Sequence, residues 1–241
     1  MIGYPLGHSF SQTYFSEKFR QEGLSDCEYL NFPIARIDLL GPILAQEPQL
    51  VGLNVTIPYK QQVIEWLDHQ SEVVKATGAC NCIKIQQGTL SGFNTDVMGF
   101  ERSLKKSLQP QDKHALVLGS GGASRAAQYV LHQLGIDFTL VSRQEQSGPA
   151  GSIRYGQINP ELMARCTLII NATPAGMYPH PQTYPDIPYQ CLSDRHYLYD
   201  MVYNPPETFF LKQGASRGAR TQNGADMLVI QAEESWAIWN S

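Results

Sequence analysis

A chain of 241 residues with a formal net charge of −4, 42% hydrophobic residues and 17% charged ones has room for two domains of about 100–150 residues. Its balance is that of an ordinary globular protein. The mild acidity, with no basic stripe, argues against nucleic acid as a partner, and no apolar run approaches the ~20 residues that would span a bilayer. Cys27, Cys80, Cys82, Cys166 and Cys191 are odd in number and scattered, so they read as reduced thiols in a cytoplasm. Cys80 and Cys82 have no second pair at zinc-site spacing, and no metal is expected; nothing at the N-terminus suggests export.

The chain opens abruptly on Gly3-Tyr4-Pro5, which is turn chemistry, so any first strand is expected to be very short or partly missing. Residues 11–22, with Tyr14, Phe15 and Phe19 at helical spacing after a serine-rich start, predict a loop entering a helix. A strand is predicted at 29–34, a helix at 38–46 and a strand at 50–57. Pro58 suits the first turn of a further helix over 59–67, and a short one follows at 71–76. Residues 82–86 and 89–93, joined by Gln87-Gly88, read as a hairpin. A helix over 95–108 leads to a polar seam at 109–113.

Beyond the seam, 114–118 is a buried strand, Gly119-Ser120-Gly121-Gly122-Ala123-Ser124 a glycine-rich turn, 125–134 a helix and 137–141 a second strand. Such a unit opens a Rossmann fold, in which the turn lets backbone N–H groups approach a pyrophosphate. The third glycine of the usual pattern is Ser124. A further helix at 160–165, strands at 167–171 and 197–201, and an amphipathic helix at 224–239 complete the reading. At the end of the second strand, where an NAD enzyme normally places a carboxylate, stand Ser142 and Arg143. Arg143 can pair with a 2′-phosphate, which points to NADP as cofactor; its plainer reading is an exposed loop arginine.

Taken alone, Lys60 reads as a solvated helix lysine and Asp96 as a helix cap. They stand, however, within Gly52-Leu53-Asn54-Val55-Thr56-Ile57-Pro58-Tyr59-Lys60 and Gly92-Phe93-Asn94-Thr95-Asp96-Val97-Met98-Gly99, with Gly78-Ala79-Cys80-Asn81-Cys82-Ile83 between them. The order and wording of these segments resemble the shikimate dehydrogenase family. The likeness extends to the opening loop Gly3-Tyr4-Pro5-Leu6-Gly7-His8-Ser9-Phe10-Ser11 and to the glycine-rich turn. Asn171-Ala172-Thr173-Pro174-Ala175-Gly176-Met177, Asp200-Met201-Val202-Tyr203-Asn204-Pro205 and Gly224-Ala225-Asp226-Met227 complete the series.

The resemblance implies NADPH-dependent, reversible reduction of 3-dehydroshikimate to shikimate, with Lys60 and Asp96 as catalytic pair. An ammonium beside a ketone stabilises and then protonates the oxygen as hydride arrives. It implies that Ser9 and Ser11 bind the substrate carboxylate and that Thr56, Asn81, Asp96 and Gln231 hold its hydroxyls, with Tyr203 near the substrate. Serines before a helix also commonly cap it. On the cofactor side it implies Gly119, Ser120, Gly121, Gly122, Ala123, Ser142, Arg143, Thr173, Met177, Gly224 and Met227; Tyr203 and Met227 could equally be core residues.

Three departures from the family pattern stand out. Ser142 precedes the arginine, Gln144-Glu145-Gln146-Ser147 follows it where a second basic residue is usual, and thiols flank Asn81. The short, Gly-rich segment 147–155 suggests an open adenine-side wall.

The expected fold is α/β in two domains: a substrate-binding domain over 1–100 completed by the helix 224–241, and a Rossmann-like, doubly wound NADP-binding domain over 101–223. The site is expected in the cleft, with closure over both ligands and a monomer or homodimer as the assembled form. The rival readings are an NAD-dependent quinate/shikimate dehydrogenase, which Arg143 disfavours, and a non-catalytic shikimate-binding sensor, which retention of both Lys60 and Asp96 disfavours.

Overall fold

The computed structural model describes residues 1–6, 10–143 and 151–241. The chain divides into two compact units, one made of Met1–Thr95 with Ala232–Ser241 and the other of Asp96–Gln231.

The first unit is built on short strands. β1 (Ile2–Gly3) pairs in parallel with β2 (Phe32–Pro33), and Ile2 bridges to Val55. β3 (Gly52–Asn54), β4 (His69–Gln70), β5 (Cys82–Gln86) and β6 (Thr89–Phe93) form a mixed sheet in the order β3-β5-β6-β4. The β5–β6 hairpin has the expected turn, with Gln87 and Gly88 both at positive φ, the backbone that a tight two-residue connection demands. The first strand is indeed short. The predicted strand at 29–34 shrinks to two residues, and the helix at 38–46 begins as a 3₁₀ turn, Ile37–Leu39, before α2 (Leu40–Gln46).

No α-helix covers 59–67. Turns lead into a 3₁₀ segment, Gln62–Trp66, for a tertiary reason. The Lys60 carbonyl, which in an α-helix would accept from Ile64, accepts instead from the Cys80 N–H at 2.7 Å, and Ile64 N turns to Gln61 O. α3 (Glu72–Thr77) is capped by the Ser71 side chain and ends on Gly78 in the left-handed region. α1 (Phe10–Glu22) buries Phe15 and Phe19. They pack with Tyr29, Ala232, Trp236 and Trp239, the last two from the closing turns of α8 (Ala225–Trp239).

The second unit begins within α4 (Thr95–Lys105) and carries a six-stranded parallel sheet. Its strands are β7 (His114–Leu118), β8 (Asp137–Ser142), β9 (Ser152–Arg154), β10 (Leu168–Asn171), β11 (Tyr197–Asp200) and β12 (Arg220–Gln222). The order β12-β11-β10-β7-β8-β9 is the doubly wound 3-2-1-4-5-6 arrangement read from the other edge. Between strands lie α5 (Gly122–Gln133), α6 (Pro160–Arg165) and α7 (Phe209–Ser216). Ala115, Leu116, Val117 and Leu118 of β7 are fully buried, as a parallel strand covered on both faces requires. Burial of each large side chain of this kind contributes about 1.5–3 kcal/mol.

Two short outer strands, β9 and β12, and the helix α7 lie where no element was predicted. Asp112, fully buried, is paired with Arg220 at 3.0 Å and accepts from Thr167 at 3.2 Å, so the polar seam at 109–113 is fastened to β12. All five cysteines are thiols. No helix among the described residues is long and apolar enough to cross a membrane, and no cluster of metal-ligating side chains occurs among them.

Candidate functional site

In the first unit, a buried chain of amides and hydroxyls gathers several of the predicted substrate residues. Ser11 sits at the start of α1, buried, with its hydroxyl bonded to Tyr29. The Tyr29 hydroxyl donates to Asn54 Oδ1 at 2.6 Å, and Asn54 Nδ2 donates to Ser235 Oγ at 3.0 Å and to the Asn81 carbonyl at 3.3 Å. Ser235 lies 3.2 Å from Thr95 Oγ1. Thr95 in turn is clasped by Asn81, whose Oδ1 accepts from the Thr95 N–H at 2.7 Å and whose Nδ2 donates to Thr95 Oγ1 at 3.0 Å. Burial drives the Tyr29 phenol well above its usual range, with the Ser11 bond opposing.

This chain fixes the amide of Asn81 and the entry to α4, in whose first turn Asp96 stands, buried. Lys60 is half-buried in the turn after Pro58, and its carbonyl bond to Cys80 N places its backbone beside the segment, just before β5, that carries Asn81. Thr56 is also half-buried, held by its N–H to Ile2 O at 3.0 Å and by its carbonyl to Tyr59 N at 2.9 Å. Ser9 lies outside the described residues.

In the second unit the candidates converge on the carboxyl edge of the parallel sheet. β7 is followed by Gly119, whose φ of +108° suits only glycine, and whose added Cβ would lie 2.9 Å from Thr173 Cγ2 and 3.0 Å from Ala172 O. Gly121, extended, is the N-cap of α5, and Arg125 N closes the first turn on its carbonyl at 3.1 Å. The helix therefore starts at Gly122, three residues earlier than predicted, and the N–H groups of Gly122 and Ala123 belong to its unsatisfied first turn. A Cβ at Gly121 would meet nothing within 4 Å. That open ground above a positive helix end fits a pyrophosphate. Ser124, in the place of the third glycine, is fully buried and accepts from Gln128 Nε2 at 3.0 Å, so a small hydroxyl meets the need for close helix–strand packing.

Ser142, at the end of β8, is buried with its Oγ 2.9 Å from Ser152 Oγ, and Arg143 is exposed just beyond it. Thr173 is held by Asn171 Oδ1, which accepts from its N–H at 3.1 Å and its hydroxyl at 2.6 Å. Asn171 Nδ2 donates to Asp200 Oδ1 at 2.9 Å, while Val202 N and the Thr208 hydroxyl also donate to Asp200, at 3.0 and 2.5 Å. Burial pushes the Asp200 carboxyl up to about 6 against the pull of those three donors.

Gly224 lies against Met201, where a Cβ would come within 2.3 Å of a backbone oxygen. Met177 is exposed, Met227 buried and Tyr203 half-buried, its phenol raised by desolvation. Gln231 is buried and donates to Leu228 O at 2.9 Å. Residue-level reading did not single out Asn171 and Asp200, although each is a polar residue closing an apolar strand at the carboxyl edge of the sheet. It also missed Asn54, Thr95 and Ser235, whose partners lie up to 181 residues apart.

A parallel sheet in this order, with a glycine-rich turn leading from its central strand into a helix, defines the class: a dinucleotide-binding α/β protein. A family model described as the shikimate dehydrogenase substrate binding domain matches residues 1–83. Over 253 residues the chain is 36% identical to a shikimate dehydrogenase (NADP(+)) of Methanococcus maripaludis, covering 99% of this chain and 90% of that one. The crystal structure of shikimate dehydrogenase from Aquifex aeolicus matches with a TM-score of 0.88 at 31% identity, over 99% of this chain and 90% of that one. That from Thermus thermophilus, in complex with NADP(H) and shikimate, matches at 0.85 and 29% identity, over 99% and 91%. The chain belongs to the shikimate dehydrogenase family.

Proposed function

We propose that the protein catalyses the reversible, NADPH-dependent reduction of 3-dehydroshikimate to shikimate, the oxidoreductase activity on a CH–OH group that its family membership defines. The observation that carries the cofactor half is the Gly119–Ala123 turn at the mouth of a Rossmann-ordered sheet with an open helix N-terminus. When bound, NADPH supplies the hydride. Gly119, Ser120, Gly121, Gly122 and Ala123 hold the pyrophosphate, Ser142 and Arg143 the adenosine 2′-phosphate, and Thr173, Met177, Gly224 and Met227 the nicotinamide side.

Ser9 and Ser11 take the substrate carboxylate. Thr56, Asn81, Asp96 and Gln231 take its hydroxyls, with Tyr203 alongside. Lys60 stabilises the oxygen of the reacting ketone as negative charge develops there, then passes it a proton; Asp96 orients the ammonium and the reacting hydroxyl. The burial of Ser11, Asn81 and Asp96 within rigid hydrogen-bonded surroundings supports this reading, because a site for a polyhydroxylated acid needs donors and acceptors held at fixed angles.

Residues 1–100 with 224–241 form the substrate domain in this reading, 101–223 the NADP domain, and the five thiols suit work in the cytoplasm. The test is Lys60→Ala, assayed in steady state with shikimate and NADP⁺ while NADP⁺ affinity is measured alongside. Turnover should fall about 10³-fold, within the usual contribution of a general acid, with NADP⁺ affinity retained. Unaltered turnover refutes the mechanism.

A further inference from the structure

We propose that Arg154 is the second cation of the adenosine 2′-phosphate site, a specificity-determining residue delivered from the neighbouring strand. The inference rests on the NADP reading above and adds to it a residue that neither the family pattern nor Arg143 supplies. A phosphate monoester carries close to two negative charges at neutral pH, so a single guanidinium leaves it under-compensated. No lysine or arginine occurs between Arg143 and Arg154, and the sequence by itself leaves Arg154 eleven positions away.

The fold removes that separation. β8 and β9 are parallel neighbours in the register Leu140↔Ser152, Val141↔Ile153, Ser142↔Arg154, and such strands run about 4.8 Å apart. Arg154 is the last residue of β9 and stands level with Ser142, one residue short of Arg143, at the carboxyl edge where ligands of doubly wound sheets bind.

Two bonds hold that end in place. Ser142 Oγ and Ser152 Oγ meet at 2.9 Å across the strands, and the Arg154 N–H donates to Gln157 Oε1 at 2.6 Å, closing the turn that follows. Arg154 is exposed, and the phenol of the adjacent Tyr155, raised by burial, is opposed in that rise by the Arg143 guanidinium. The acidic group acting on that same tyrosine is Asp186, from a separate loop. No Asp or Glu occurs between 151 and 160 to repel a phosphate from the β9 side. Paired guanidinium groups suit a phosphate because each offers parallel N–H donors.

The experiment compares kcat/KM for NADP⁺ and NAD⁺ in the wild type, Arg154→Ala, Arg154→Lys and Arg143→Ala, with inhibition by adenosine 2′,5′-bisphosphate and by 5′-AMP as a second readout. In Arg154→Ala the NADP⁺/NAD⁺ ratio should fall about tenfold, the loss of one charge-assisted hydrogen-bonding partner. The bisphosphate inhibition constant should rise by a similar factor relative to that of 5′-AMP, and Arg154→Lys should recover part of both. A ratio within twofold of wild type in Arg154→Ala, while Arg143→Ala loses it, overturns the role of Arg154 alone. A wild type without preference for NADP⁺ overturns the cofactor reading beneath it.

Discussion

The two units solve their recognition problems with different materials. In the first, candidate residues are side chains strung on a buried network, Ser11–Tyr29–Asn54–Ser235–Thr95–Asn81, in a unit whose strands are only two to five residues long. In the second, the ground proposed for the pyrophosphate is main chain, the first turn of α5 beyond Gly119, backed by a regular parallel sheet. A phosphate is a compact anion that backbone N–H groups and a helix end can satisfy whatever the side chains. A polyhydroxylated acid presents several directed groups, and only side chains fixed by further hydrogen bonds can match them. The substrate unit is therefore sensitive to polar deletions, and the cofactor unit to anything that disturbs backbone conformation.

The sharpest break in that contrast is a methyl group at Gly119. Alanine there must adopt a φ of +108° and place its Cβ 2.9–3.0 Å from Thr173 and Ala172, a backbone strain of about 1–3 kcal/mol before the clash is counted. Gly119→Ala should weaken NADP⁺ binding about 100-fold, roughly 2.7 kcal/mol, as read by fluorescence titration, with a much smaller change in shikimate KM. An equal loss for both ligands would erase the division of labour.

Asp200 tests the second unit from within, since it is a side-chain device beneath a backbone site. Its carboxyl is raised from 3.8 to about 6 because it is buried. The protonated form is favoured on folding, so the stability from this group is complete below the unfolded value and is lost as pH rises through about 6. Asp200→Asn has no such titration. Urea unfolding at about pH 4 and about pH 8 should show the wild type losing roughly 2 kcal/mol relative to the variant on going to the higher pH. A flat difference would mean that its three donors offset the cost of burial, and one of opposite sign that they outweigh it.

Legibility differed between the units for the same physical reason. The stretch from His114 to Ser142 declares itself because a buried parallel strand must be a continuous apolar run and its turn must be glycine. The stretch 59–67 has helical spacing, yet the Lys60 carbonyl is claimed by Cys80 N, a long-range fact that no local pattern carries. β9 and β12, Ser-Ile-Arg and Arg-Thr-Gln, are three-residue strands at the two outer edges of the sheet, too short and polar to show alternation. For α7 a signal was present: Thr208 is its N-cap, accepting from Leu211 N, just after a Pro-Pro-Glu run. In the candidate site the segments bearing Lys60, Asn81 and Asp96 are recognisable as wording, whereas what holds Asn81 is not, since Ser235 is 140 residues from Thr95.

Ser235→Ala is the mildest way to probe that hidden support. Ser235 is fully buried and has no ligand role assigned to it, and its hydroxyl meets Asn54 and Thr95. Removing the hydroxyl deprives the Asn54 amide of one acceptor and the Thr95 hydroxyl of one hydrogen-bonding neighbour, at a cost of about 1–2 kcal/mol. If the network positions Asn81, part of that cost emerges as function. Shikimate KM should rise a few-fold, NADP⁺ KM should stay near its wild-type value, and Ser235→Thr or Ser235→Cys should recover in proportion to the hydrogen bond each restores. A loss of stability with no change in shikimate KM would make the network a feature of the core alone. Asn81 would then owe its orientation to the Thr95 clasp without help from the closing helix.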